Sequence, residues 1–80
     1  MKKFNNKSNL AGSIIREARK KKKLKIVDVI VELELLGVAL SRTEIYRIES
    51  NKMIVKDFEL VAFCIVLDIN LDDLKKAFNL

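Results

Sequence analysis

Two guanidinium groups, a hydroxyl and a phenol crowd into six positions of the stretch SRTEIYRIES, residues 41–50: they belong to Arg42, Thr43, Tyr46 and Arg47. Such donors suit the reading of nucleic acid. An arginine fork pairs bidentately with guanine, and a threonine reaches a thymine methyl or a phosphate. On a helix, which advances about 100° per residue, Ile45 and Ile48 fall together on one side. Arg42, Thr43, Tyr46, Arg47 and Ser50 fall on the other. A surface that meets an anion has no use for glutamate, yet Glu44 and Glu49 share the stretch. Ser41 followed by Glu44 is the pattern of a capping box. The hydroxyl takes an orphan N–H, and the carboxylate reaches back to the cap's own N–H. Glu49 lies at the edge of the buried side, where it needs a cationic partner or loses its charge. The competing reading of the outer face is a solvated helix surface with no ligand, since arginine and threonine are common there.

No other constellation carries chemistry. There is no histidine, and Cys64 is the one cysteine, set in an apolar run. That excludes a typical zinc site and an internal disulfide, and fits a buried, inert thiol in a reducing compartment. No Gly-rich phosphate loop is present, and no nucleophile has a base beside it. Asp72 and Asp73 are neighbours, which diverge on a helix; they read as first-turn acids favoured by the helix dipole. Neither an enzyme, a cofactor nor a metal is expected. The formal net charge of +5 and pI of about 9.5 give a mild preference for anionic partners. The run RKKKKLK, residues 19–25, invites a nucleic-acid or membrane reading. Cations at a helix C-terminus also favour the dipole and stay solvated, and that accounts for most of them.

These residues need a scaffold. Eighty residues, half of them apolar, make one small domain. No proline and only Gly12 and Gly37 as glycines favour helices with short connections. Five are expected, at about 9–22, 26–36, 42–50, 57–67 and 71–78, preceded by a flexible segment at 1–8. The first has Ser8 or Asn9 as cap and turns Leu10, Ile14, Ile15 and Ala18 inward. The second, IVDVIVELEL, is rich in β-branched residues and partly alternates, as a strand would. Helical spacing of Ile26, Val29, Ile30, Leu33 and Leu36, and the want of a partner strand, decide for helix. Its surplus apolar residues, Val27, Val31 and Leu35, fall off the main stripe. The fifth begins with Asn70 as cap, Asp73 at the third position and a stripe of Leu71, Leu74 and Phe78. The fourth has no good cap, since Val55 and Lys56 are weak ones. The N-terminal MKKFNNKSNL lacks the apolar stretch of a signal peptide, and the longest apolar run, 60–67, is too short to span a bilayer. A soluble, cytoplasmic protein is expected, with no membrane partner.

In this order and spacing, GSIIREARKKKKLK, LGVALSRTEIYRIESNK and DFELVAFCIVLDINLDDL resemble the phage-repressor type of helix-turn-helix protein, the Xre-like group of bacterial regulators. The resemblance covers roughly residues 10–75. It implies an all-α, compact five-helix lambda-repressor-like DNA-binding domain over residues 9–80, in which the second helix crosses the DNA backbone and the third enters the major groove. It implies base reading by Arg42, Thr43, Tyr46 and Arg47, and phosphate contacts at Lys25, Ser41, Asn51 and Lys52. It also implies a structural ion pair between Arg19 and Glu49. Three positions depart from the family's habits: Lys23 stands where glycine is common, Ile26 where glutamine often helps hold a phosphate, and Ile30 where alanine is common.

The reading that follows is a regulator, expected to be a repressor, that binds double-stranded DNA as a homodimer on a two-fold operator. Two half-sites supply the affinity that one small domain lacks. The first candidate for the dimer surface is the fifth helix and tail, with Ala77, Phe78 and Leu80; the second is Val27, Val31 and Leu35. The rival is a protein-interaction module on the same fold, such as an antitoxin or an adaptor with a protein partner. RNA binding stands behind both, for want of an aromatic stacking platform.

Overall fold

The architecture follows from how each helix is started and stopped. The computed structural model describes residues 11–77, the backbone alone at Ala77. The elements are α1 (Ala11–Lys21), α2 (Ile26–Leu35), α3 (Arg42–Glu49), α4 (Asp57–Leu67) and α5 (Leu71–Ala77). No strand occurs among the described residues. The start of the first helix at Asn9, its caps and Leu10, the segment 1–8, Phe78 and Leu80 lie outside them.

Each of the last four helices begins with the same device. A carboxylate at the third helical position accepts the backbone N–H of the capping residue. Asp28 serves Lys25 at 3.0 Å, Glu44 serves Ser41 at 3.0 Å, Glu59 serves Lys56 at 2.9 Å and Asp73 serves Asn70 at 3.1 Å. Ser41 and Asn70 return the bond, accepting from Glu44 N at 3.1 Å and Asp73 N at 2.9 Å. Lysine has no acceptor, so at Lys25 and Lys56 only the carboxylate half exists. That half accounts for the start of α4, which the weak capping residues alone leave unexplained. It also puts negative charge at the positive end of each helix dipole.

The first four helices end alike too. A residue in the left-handed region reverses the chain, and the next N–H bonds the carbonyl five residues back. The reversing residues are Lys23, Gly37, Asn51 and Asp68, with φ of 58°, 83°, 62° and 54°. The bonds are Leu24 to Arg19, Val38 to Leu33, Lys52 to Arg47 and Ile69 to Cys64, at 2.8–3.1 Å. Lys23 therefore holds a backbone conformation that glycine takes without strain.

The helical spacing of IVDVIVELEL prevails over its β-branched composition. Ile26, Val29 and Leu33 are buried in α2, and Ile30 packs against the core. Leu36, expected inward, is corrected: it follows the last helical residue at the turn into Gly37 and is exposed. Val27, Val31 and Leu35 are all exposed. The core joins Ala11 and Ile15 of α1 with Ile45 and Ile48 of α3, Ala62, Phe63 and Leu67 of α4, and the linker residues Val38, Leu40 and Ile69. α1 packs on α3, α4 and α5, and α2 packs on α3 and α4. α3 is therefore fixed from behind by α1 and α2, and its other side is free.

α1 and α3 meet closely at Gly12. A Cβ there would stand 2.0 Å from Ile48 O and 2.7 Å from Asn51 Oδ1. This contact had no sign in the helical pattern, since a glycine in a first turn reads as neutral.

Candidate nucleic-acid interface

α3 divides as its periodicity requires. Ile45 and Ile48 are completely buried, while Arg42, Thr43, Tyr46 and Arg47 are exposed, Tyr46 at 49%. Among the described residues neither Arg42 nor Arg47 has an ion-pair partner, and both are exposed to water. Ser50 lies on the same side, but its hydroxyl donates back to Tyr46 O at 2.9 Å.

Both glutamates of the segment are engaged. Glu44 accepts from Ser41 N, and its carboxyl is held below the ordinary range chiefly by that backbone bond and then by the Ser41 hydroxyl. Glu49 is 5% exposed and meets Arg19 in a two-bond fork: Nε to Oε2 at 2.7 Å and Nη2 to Oε1 at 3.0 Å. Arg19 Nη1 also donates to Leu24 O at 3.1 Å, tying down the turn after α1. The guanidinium pKa is raised, first by the hydrogen bonds to Glu49. Of the two acids of α3, Glu49 is thus neutralised by Arg19, and Glu44 is held at the start of the helix by Ser41.

The remaining residues singled out from the sequence are spread around α3. Ser41 precedes it, and its Oγ accepts from Glu44 N at 3.1 Å. Lys52 follows it and is exposed, and Lys25, also exposed, caps α2. Asn51 does more than stand at the surface. It is the left-handed residue ending α3, and its Nδ2 donates to Ser13 Oγ of α1 at 3.3 Å. Its Oδ1 is buried without a hydrogen-bond partner, beside Gly12.

Of two further cations near α3, one was not singled out from the sequence and the other only as part of the lysine run. Arg16 and Lys20, one turn apart on α1, line a shallow depression with Tyr46 and Ser50, floored by the Arg19–Glu49 pair. The spacing of four was legible; the nearness of α1 to α3 was not. Of the lysine run, Lys22 pairs with Asp68 at 2.7 Å, linking the ends of α1 and α4, while Lys20, Lys21 and Lys23 are exposed. The arrangement can present donors and positive charge to an anionic, hydrogen-bonding surface. No group of acids, histidines or cysteines among the described residues is arranged to hold a metal, and no described helix is long and apolar enough to cross a membrane.

Compared with known proteins, the chain matches no family model, no curated protein and no solved structure at a significant level.

Proposed function

We propose that the chain is a sequence-specific regulator of transcription that binds double-stranded DNA, with α2 and α3 as its helix-turn-helix and α3 in the major groove. The observation that carries the reading is the division of α3: a fully buried Ile45–Ile48 back and an unobstructed front of Arg42, Thr43, Tyr46 and Arg47. A helix held from behind and free in front is what major-groove entry needs. Base readout falls to the two arginines, with Thr43 and Tyr46 between them. Lys25 at the start of α2, Ser41 at the start of α3, and Asn51 and Lys52 beyond its end hold phosphates, which sets register without reading sequence. The homodimer brings two such faces to a two-fold operator.

A second reading rests on α2. Val27, Val31 and Leu35 are exposed, and Asp28, Glu32 and Glu34 stand among them. No lysine or arginine occurs between Lys25 and Arg42. An acidic, apolar helix is poorly suited to lie along phosphates and suits a protein partner. Duplexes selected from a random pool discriminate the two. A DNA reader enriches a symmetric motif and binds it better than random duplex. An interaction module enriches nothing.

A further inference from the structure

Beyond Glu59 the sides of α4 are apolar all round. Its inner side is in the core, yet Phe58, Val61 and Ile65 on the outer side are 55%, 59% and 60% exposed. A helix of that kind is normally covered on every side. We propose that this outer face of α4 is the surface on which two copies of the chain associate, α4 against α4 across a two-fold axis. The dimer is the state the DNA reading calls for, and in purpose the assignment rests on that reading.

Charge selects the occupant. A chain with a net charge of +5 repels its own copy over most of its surface. From residue 58 to 67, α4 carries one charged side chain, Glu59, and that one is buried. Asp57, at the first position, lies at the end of the stripe. A crossing centred near Val61 and Ile65 keeps the two copies of Asp57 apart. A two-fold contact sets each patch against itself, so an uncharged patch is self-complementary where a charged one is not. The exposed stripe of α2 fails this test, because Asp28, Glu32 and Glu34 would meet their own twins. Position agrees: α4 packs on α1 and α2 and not on α3, so a dimer through α4 leaves the front of α3 free.

Area sets the strength. The three side chains expose on the order of 300 Å² per copy, the scale of the largest apolar patch on an ordinary monomer. A standard stable interface buries about 800 Å² per partner. The dimer is therefore weak in free solution and is completed on a target that presents two half-sites.

Sedimentation equilibrium of the full 80-residue chain without DNA, from about 1 μM to about 1 mM, tests this. The wild type is expected to pass from monomer to dimer within that range. Ile65→Glu and Val61→Glu, at exposed positions and checked for native helix content, should weaken association at least about tenfold. Val31→Glu on α2 should associate as the wild type does. Three results overturn the assignment: a wild type that is monomeric throughout, glutamate variants that dimerise unchanged, or loss of the dimer in Val31→Glu instead. The DNA reading stands or falls separately. A monomeric wild type that still prefers selected duplex keeps that reading and loses this surface; a dimer without preference does the reverse.

Discussion

Replacing Gly12 with alanine tests the closest contact in the fold. The added Cβ would fall 2.0 Å from Ile48 O, and such contacts do not occur below about 3.0 Å, so α1 and α3 must part by about 1 Å. Ile48 O is backbone within a helix and cannot swing aside. The change also presses on Asn51 Oδ1, whose side chain bridges to Ser13. Alanine favours the helical state of α1 by about 1 kcal/mol over glycine. Against that stand overpacking, typically 1–3 kcal/mol and occasionally more, and the disturbance of Ile45 and Ile48, which pack with no exposure. With backbone as the obstacle the upper end applies, and the net loss is about 2 kcal/mol. In a domain of this size that lowers Tm by roughly 10 °C. Urea unfolding followed by circular dichroism gives the free energy, and a calorimetric scan gives Tm. Equal or greater stability in Gly12→Ala would refute the close approach of α1 and α3, and with it the placement of the Arg19–Glu49 fork on the same helix pair.

Lys23→Gly should stabilise by about 1 kcal/mol, because a left-handed residue with a Cβ is strained by roughly 1–2 kcal/mol and glycine loses part of that gain to chain entropy; thermal melts of the two proteins measure it. Arg19→Met should cost about 3 kcal/mol, the low end for a buried pair, since it strands a carboxylate whose side chain is 3% exposed while Arg19 keeps 13% exposure. Adding Glu49→Leu should recover part of that loss, and a double-mutant cycle in urea returns the coupling. The Glu44 carboxyl is depressed in the folded state by Ser41 N–H, so its stabilising effect is complete above the ordinary glutamate pKa of about 4.3 and is lost as pH falls through the lower folded value. Glu44→Gln should therefore make stability less dependent on pH below about 4.5, as measured by Tm in a pH series.

The helices and the faces of α3 were legible because they depend on periodicity. Ile45 and Ile48 against Arg42 and Arg47 is a matter of 100° per residue, and the structure keeps it. Ser41 with Glu44 and Asn70 with Asp73 were legible as caps because both partners sit in one short window. The start of α4 was not, because attention to Lys56 as a weak cap hides Glu59, which acts from the other end of the same window. The left-handed conformations of Asn51 and Asp68 went unread because the usual marker is glycine, whereas Lys23 stands where the resembled family commonly has one. Leu36 was misread by carrying the helical stripe one residue past the end of α2. What stayed hidden at the candidate interface is tertiary. The nearness of Arg16 and Lys20 to Tyr46, and of Asn51 to Ser13, depends on α1 closing on α3 at Gly12, and no local pattern encodes that distance.

The most direct test of the DNA reading is titration of labelled selected and random duplexes at several salt concentrations, with wild type, Arg42→Ala, Arg47→Ala and Lys52→Ala. Wild type should prefer the selected duplex. Each arginine variant should lose roughly 1–3 kcal/mol on that duplex and little on the random one, because a guanine edge carries identity. Lys52→Ala should weaken both alike and lower the salt slope by about one per monomer, because a phosphate carries charge alone. A wild type that binds selected and random duplexes equally at every salt concentration contradicts the account.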